Sequence, residues 1–198
     1  PSYQFIKALL NKEEGLLIDK DHFMTISPDE GSMNRAIYLA NVLGVDMGMY
    51  YKRLDYSRYV NGRHPIAAYE FLGPKIEGKD MILIDDMISS GDTIIKIASL
   101  LKEKGAGRVY ICSTFGFFTD GLDKFDDAYK KGYFDKLLTT NLVYQSPELL
   151  EKPYYISCDM SKYIALIIDT LNHDTSVSHL LNPVDRIKRC VTNYMSQH

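Results

Sequence analysis

The stretch Met81-Ile-Leu-Ile-Asp-Asp-Met-Ile-Ser-Ser-Gly-Asp-Thr-Ile94 carries the clearest structural pattern in the chain. Four apolar residues predict a buried strand, and a turn rich in hydroxyl groups then leads to a helix that begins near Thr93. Gly91 lets the backbone turn tightly, and the first free N–H groups of the helix point beyond its N-terminus. The stretch therefore predicts a strand–turn–helix unit with an anion site in its turn.

The side chains of this unit indicate what the anion is. Asp85 and Asp86 end the strand, where they can accept hydrogen bonds from a vicinal diol or share a divalent metal. Ser89, Ser90 and Thr93 add hydroxyl donors, so the turn can hold a phosphate monoester without a lysine. A phosphate site beside diol acceptors describes a site for ribose 5-phosphate.

A purely structural interpretation of the same residues is that Asp92 or Ser90 caps the helix, while Asp85 or Asp86 supports the turn. Two adjacent carboxylates at the end of a buried strand are costly unless they have partners. That cost favours the binding site over the cap.

Short apolar runs alternate with helical stripes on both sides of this unit. The runs lie at 22–26, 47–51, 81–84, 108–114, 136–140 and 154–157. Stripes at helical spacing include Ala36/Leu39/Ala40/Leu43, Ile94/Ile97/Ala98/Leu101 and Ile164/Ile167/Ile168/Leu171. This alternation predicts an α/β fold with a doubly wound, mostly parallel sheet and helices on both faces. In such sheets, ligands bind at the carboxyl ends of the strands.

The segment 52–66 departs from the alternation. It is polar and aromatic, contains Arg53, Arg58 and Arg63, and has no helical stripe. We predict a flexible loop or a hairpin excursion here, of the kind that often carries function. A solvated surface hairpin with incidental charges fits these residues equally well.

Composition limits the remaining classes of function. The chain has 198 residues, enough for one domain over 1–198, and 23 Lys and Arg against 26 Asp and Glu give a net charge of −3. This balance provides no basic field for nucleic acid, and no apolar run is long enough for a membrane span. Three dispersed cysteines without a Cys-x-x-Cys pair indicate reduced thiols and a cytoplasmic location.

The 81–94 stretch resembles the phosphoribosyl pyrophosphate-binding motif of type I phosphoribosyltransferase folds. From about Phe23 to Leu181, the chain is most similar to the second half of the ribose-phosphate diphosphokinase family. Four further stretches carry that narrower resemblance: Ser27-Pro-Asp-Glu-Gly-Ser-Met-Asn-Arg-Ala36, Tyr51-Lys-Arg53, Leu137-Leu-Thr-Thr-Asn141 and Ser176-Val-Ser-His-Leu180. Because only the second half matches, and because the sequence begins at Pro1 within a helical pattern, we expect the C-terminal half of a longer two-domain chain.

The resemblance implies a role for each matching residue. Asp85 and Asp86 would bind the ribose hydroxyls and the metal, and the 5-phosphate would be held by Ser89, Ser90, Gly91, Asp92 and Thr93. Asp29 would be a Mg²⁺ ligand, and Glu30, Gly31 and Ser32 would line the pyrophosphate. Lys52 and Arg53 would be catalytic, with Lys52 stabilising the transferring group. From the residues alone, the 29–32 segment lies between a strand and a helix, where a helix cap is the alternative.

The chain also departs from the family pattern. Ser32 stands where the family usually has a second Gly, and Ser89 stands where it usually has an Asp. The family usually has an Arg two positions after the loop lysine, and here that position is Leu54. The loop after Lys52 is also longer than usual. Either Arg53, Arg58 or Arg63 replaces the arginine that is missing at Leu54, or catalysis is impaired.

The activity that the resemblance implies is transfer of a diphosphoryl group from ATP to ribose 5-phosphate, with Mg²⁺, in a homo-oligomer that is a dimer or a larger ring. One alternative is a phosphoribosyltransferase that uses phosphoribosyl pyrophosphate and the same ribose site. Another is a non-catalytic regulatory subunit, which Leu54, Ser32 and the long loop favour. The isolated chain, lacking the half that supplies most ATP-binding groups, is expected to be inactive by itself.

Overall fold

The computed structural model describes residues 1–54, 56–59, 62 and 66–196 of the chain. Within them, seven strands form one sheet. The strands are β1 (Phe23–Ser27), β2 (Asp46–Leu54), β3 (Ile66–Leu72), β4 (Asp80–Ile88), β5 (Val109–Gly116), β6 (Lys136–Thr140) and β7 (Tyr155–Cys158). Their order is β3-β2-β1-β4-β5-β6-β7, and every neighbouring pair is parallel except β2–β3. The predicted mostly parallel sheet is confirmed.

Helices cover both faces of the sheet, as the doubly wound prediction requires. They are α1 (Ser2–Leu10), α2 (Met33–Leu43), α3 (Asp92–Glu103), α4 (Asp123–Lys130), α5 (Pro147–Leu150), α6 (Ser161–Asn172), α7 (Ser178–Leu181) and α8 (Val184–Met195). One core holds Phe5, Leu39 and Ile187 from α1, α2 and α8. A second core holds Ile97 of α3 and Phe125 of α4. The two cores place the sheet between two helical layers.

Strand β4 lies at the centre of the sheet, between β1 and β5. Met81–Ile84 is buried throughout. A strand covered on both faces has no solvent side, which explains why these four residues are all apolar. Asp85 and Asp86 follow in the same strand, where burial decreases; the strand runs on to Ile88, whereas the sequence predicts that it ends at the two carboxylates. Because β1, β2, β4 and β5 are parallel, the segments after their carboxyl ends meet at one edge of the sheet.

The excursion predicted at 52–66 begins as a hairpin. Strand β2 continues to Leu54 and pairs antiparallel with the edge strand β3, so that Lys52 lies opposite Tyr69 and Arg53 opposite Ala68. Lys52 and Arg53 are therefore strand residues rather than loop residues. An edge hairpin tolerates their polar side chains because much of its surface faces solvent. Arg63 lies outside the described residues.

The apolar stripe of α6 is not buried as its periodicity suggests. Ile164, Ile168 and Leu171 are 36%, 54% and 59% exposed. The helix follows the edge strand β7 and packs mainly against the short α7, which leaves this stripe without cover in the part of the chain that the structure describes. Of the helices that can be described, none has the length and hydropathy that a membrane span requires.

Candidate functional site

The end of β4 presents two carboxylates that point to different partners. Oδ1 of Asp85 accepts hydrogen bonds from the Ser32 hydroxyl at 2.5 Å and from the backbone N–H of Asp86 at 2.8 Å. Oδ2 of Asp86 lies 3.2 Å from a guanidinium nitrogen of Arg35. The two acidic side chains therefore diverge, which leaves oxygen atoms of both available to a ligand.

Asp85 is the more buried of the two carboxylates, and its titration reflects this. Burial is the main cause that raises its pKa, and the neighbouring negative charges of Asp29 and Asp86 raise the pKa further. The hydrogen bonds from Ser32 and Asp86 act in the opposite direction, because they stabilise the charged form. Asp85 is thus an acidic group that would gain from a cation or a hydroxyl donor nearby.

The turn formed by Ser89–Thr93, here called the 89–93 turn, leads from β4 into α3. Gly91 has φ +84°, and a Cβ at this position would lie 2.3 Å from Cζ of Phe125. Both facts require glycine. Since α3 begins at Asp92, the first N–H groups of that helix have no acceptor within the helix and face the turn. The strand–turn–helix unit predicted from the sequence is present.

The segment Ser27–Ser32, here called the 27–32 loop, joins β1 to α2. The Ser27 hydroxyl donates to the carbonyl of Asp29 at 2.6 Å, and the Asp29 carboxylate accepts from the N–H of Gly31 at 3.0 Å. A short 3₁₀ turn over Glu30–Ser32 then continues into α2. These bonds fix the Asp29 side chain at the edge of the sheet.

Lys52 connects the two segments. Its Nζ atom lies 3.4 Å from Oδ2 of Asp29 and 3.5 Å from Oγ1 of Thr93. Arg53 is directed elsewhere, because successive residues of a strand point to opposite faces, and its Nε lies 3.1 Å from Oε1 of Glu70. The structure thus brings Lys52 to the predicted site residues and does not bring Arg53 there.

An open cavity of about 350 Å³ lies between the 27–32 loop, the last part of β4 and the 89–93 turn. Its lining comprises Asp29, Gly31, Ser32, Asp85, Asp86, Met87, Ile88, Ser89, Ser90, Gly91, Asp92, Thr93 and Ile94. Every binding residue expected in the last part of β4 and in the 89–93 turn is among them, together with three of the four expected after β1. Glu30 is absent from the lining, and its side chain is exposed. The cavity has the size of a small-molecule site.

Basic side chains meet the carboxylates around this cavity in pairs. The pairs are Asp29–Lys52, Asp86–Arg35 and Asp92–Lys124. Arg35 and Lys124 were not singled out as site residues from the sequence. Arg35 lies three residues after Ser32, so one helical turn brings both towards the same edge, and this spacing could have identified it. Lys124 is 32 residues from Asp92, and no local pattern connects them.

The acidic residues do not form a ready-made metal centre. Among the residues described, no group of three or more His, Cys, Asp and Glu side chains has the arrangement of a metal site. The negative charge of Asp29 is nevertheless close enough to contribute to the raised pKa of Asp85. Two carboxylates suit Mg²⁺, which commonly takes one or two from the protein and its other ligands from water and phosphates.

Comparison with known proteins identifies the family of the chain. The family model described as phosphoribosyl synthetase-associated domain matches residues 63–182. The chain is 30% identical over 171 residues to a ribose-phosphate pyrophosphokinase of Shewanella oneidensis, covering 85% of this chain and 51% of that protein. It is 29% identical over 163 residues to the protein of that name from Vibrio parahaemolyticus, covering 82% of this chain and 49% of that protein. The chain thus spans about half the length of the curated relatives it matches.

Among solved structures, the chain is similar to the phosphoribosylpyrophosphate synthetase of Mycobacterium smegmatis. The TM-score is 0.67 at 21% sequence identity, and the match covers 87% of this chain and 51% of that chain. A likeness at this identity establishes a shared fold. The resemblance drawn from the sequence motifs is confirmed, and the chain belongs to the phosphoribosyl synthetase-associated domain family.

Proposed function

We propose that this chain carries the ribose 5-phosphate and pyrophosphate sites of an enzyme that transfers a diphosphoryl group from ATP to ribose 5-phosphate, giving phosphoribosyl pyrophosphate and AMP. The observation that carries the proposal is the meeting of diol acceptors and an anion-binding turn at one cavity, with Lys52 between the turn and Asp29. The names of the relatives support the same activity.

Ribose 5-phosphate would bind with its two ends recognised differently. The carboxylates of Asp85 and Asp86 would accept hydrogen bonds from the vicinal hydroxyls of the sugar. Hydroxyl groups of the 89–93 turn and the N–H groups at the start of α3 would donate to the 5-phosphate. Burial makes the acceptor role of Asp85 stronger, because a sugar hydroxyl would donate a hydrogen bond that water does not supply to this partly buried side chain.

The reaction needs positioning and charge neutralisation rather than a covalent nucleophile. The 1-hydroxyl oxygen of the ribose would attack the β-phosphorus of ATP, and the hydroxyl proton would pass to solvent water. The bond from that phosphorus to the α-phosphate oxygen would break, and AMP would leave with the electron pair. Lys52 would move from Asp29 to the oxygens of the transferring group, where negative charge develops. The 27–32 loop, through Asp29, Gly31 and Ser32, would border the diphosphate.

Mg²⁺ is part of this proposal. Asp29, with Asp85 beside it, would hold the ion, and the remaining ligands would be water and diphosphate oxygens. When bound, the ion would neutralise negative charge on the transferring group. Repulsion between Asp29 and Asp85, which contributes to the raised pKa of Asp85, would be relieved at the same time.

Arg53 could serve in catalysis only after leaving its ion pair with Glu70. Because Arg53 lies on the opposite face of β2 from Lys52, Lys52 is the main cation of the proposed reaction. An Arg53→Ala variant that keeps full AMP formation would remove Arg53 from the catalytic set.

The proposed enzyme is larger than this chain. Residues 1–198 would form one phosphoribosyltransferase-like domain, equivalent to one half of a two-domain, cytoplasmic homo-oligomer, and groups that bind ATP would come in part from the other half. The exposed apolar stripe of α6 supports a contact between subunits. Light scattering at several protein concentrations would measure the assembly.

The test is calorimetric titration of this chain with ribose 5-phosphate in the presence of Mg²⁺. The assay for AMP formation from ATP uses a chain that also carries the proposed second half, because residues 1–198 alone are expected to be inactive. We expect saturable binding that Asp86→Asn weakens by about tenfold or more, as for loss of a hydrogen bond to a charged group. Lys12→Ala is the control, because Lys12 is exposed and lies far from the cavity. Its neighbour Glu13 pairs with Lys136, the first residue of β6, at the amino ends of the strands. Absence of ribose 5-phosphate binding would overturn the proposal.

The same assays separate the alternatives. Consumption of phosphoribosyl pyrophosphate with a nucleobase would indicate a phosphoribosyltransferase. Binding of ribose 5-phosphate without AMP formation, in a chain that includes the missing half, would indicate a non-catalytic regulatory subunit. AMP formation that Lys52→Ala abolishes would support the diphosphokinase.

A further inference from the structure

A negatively charged side chain lies in the turn that is proposed to bind phosphate. Asp92 is the first residue of α3, lines the cavity, and has a side chain that is 68% exposed. Its Oδ2 accepts a hydrogen bond from the Ser90 hydroxyl at 3.0 Å. The carboxylate therefore occupies one donor that a phosphate would need, and its charge repels a dianion.

The opposing charge comes from α4. Nζ of Lys124, in the first turn of that helix, lies 2.8 Å from Oδ1 of Asp92 and 2.8 Å from Oδ2 of Asp120. The hydrogen bond from Lys124 is the largest of the causes that lower the pKa of Asp92, so this carboxylate stays charged at neutral pH. Lys124 thus holds Oδ1 of Asp92 on the side of α4 and offsets its negative charge.

We propose that Lys124 is a positioning residue of the phosphate site: through its ion pair with Asp92 it lets the 89–93 turn accept a phosphate monoester despite the acidic side chain there. This inference rests on the proposed function, since it concerns the same turn. Lys124 acts through Asp92, and the affinity for phosphate is what it controls.

Titrations with ribose 5-phosphate at low salt test the inference. Lys124→Met should raise the Kd by about tenfold, because removal of one positive charge leaves an unscreened carboxylate within a few ångströms of a dianion. Asp92→Asn alone should lower the Kd by about threefold. The double variant should bind within about twofold of Asp92→Asn alone, because Lys124 acts through Asp92. At high salt, each difference should shrink because the exposed charges are screened.

Lys104→Met is the matched control. It removes the same charge at the C-terminal end of α3, about 20 Å from the turn by helix geometry, and its Kd should not change. Rescue by Asp92→Asn distinguishes charge control from a structural defect, since a defect in α4 would persist in the double variant. If Lys124→Met does not fold, Lys124→Gln takes its place in the same titrations, because it removes the same charge and keeps a polar end.

The outcomes separate this inference from the proposed function. If the original protein binds ribose 5-phosphate and Lys124→Met binds it equally well, the role of Lys124 is wrong while the proposed function stands. Failure of Asp92→Asn to restore affinity also overturns the role. If the original protein binds no ribose 5-phosphate, both are overturned. Inorganic phosphate, as a second probe, should show the same order of affinities among the variants.

Discussion

The hydroxyl of Ser32 donates a hydrogen bond of 2.5 Å to Oδ1 of Asp85, 53 positions further along the chain. This contact joins the start of α2 to the end of β4, so that two loops of the proposed site are held at a fixed distance. It also partly offsets the effect of burial on Asp85, because it stabilises the charged carboxylate. The serine therefore has a role that the glycine usual in the family could not perform.

Ser32→Ala should raise the pKa of Asp85 further, since the hydrogen bond to the charged form is lost. The variant should also lose about 1 kcal/mol of unfolding free energy at neutral pH. An NMR titration of the Asp85 carboxyl carbon and urea unfolding measure the two effects. Ser99→Ala is the control: its buried hydroxyl donates to the carbonyl of Lys96, so stability should fall without a change at Asp85. An unchanged Asp85 pKa in Ser32→Ala would contradict the prediction.

Asp85→Asn should increase stability at neutral pH while it weakens ribose 5-phosphate binding. Because the native pKa of Asp85 lies above the ordinary 3.8, the folded state holds the proton more tightly, and stability falls as the pH rises through this interval. The amide avoids that loss, so its advantage should be present at pH 7 and disappear as the pH falls to the ordinary carboxyl pKa. Thermal unfolding at several pH values measures this. Asp86→Asn, which breaks an exposed ion pair with Arg35, should give no such gain.

Gly91→Ala should destabilise the protein by about 2 kcal/mol or more, because a positive φ and a clash with Phe125 add together. Gly132→Ala provides the matched comparison: its φ is +70°, but no atom lies within 4 Å of the added Cβ, and it should cost only about 1 kcal/mol. Urea unfolding measures both variants. Equal losses would show that Phe125 gives way without cost.

Leu171→Ser should change the unfolding free energy by less than about 0.5 kcal/mol in dilute solution, because this end of the α6 stripe is 59% exposed. Leu101→Ala, at a fully buried position of α3, should cost about 3 kcal/mol. The measurement is chemical unfolding at low protein concentration, where subunit association contributes least. A loss of 2 kcal/mol for Leu171→Ser would mean that this surface is covered in solution.

The order of strands and helices follows from local patterns, and so does the part of the site that comes from one stretch of chain. The continuous apolar run of β4 indicates cover on both faces, and the residues after it face the ligand edge because parallel strands share that edge. Asp85, Asp86 and the 89–93 turn could therefore be predicted together from 14 consecutive residues, 81–94.

Local patterns could not predict the register of paired strands or which helix surfaces other elements cover. The face of β2 on which Arg53 lies depends on its pairing with β3, and a shift of one residue would exchange Lys52 and Arg53. The approach of Lys124 to Asp92 depends on how α4 packs beside α3. Periodicity in α6 shows that one side is apolar but does not show whether another element covers it.

Because Gly91 has no Cβ, the ring of Phe125 can pack against the 89–93 turn. The adjacent Lys124 donates a hydrogen bond to Asp92 in the same turn. One turn of α4 thus contacts the proposed phosphate site through an apolar and a charged side chain at once. The amide protons of the α3 N-terminus and of α4 should therefore exchange with deuterium as one cooperative unit. Opening of that unit would disrupt the proposed anion site as a whole. The free energy of opening, obtained from the exchange rates, therefore measures how firmly the site is held in its folded arrangement.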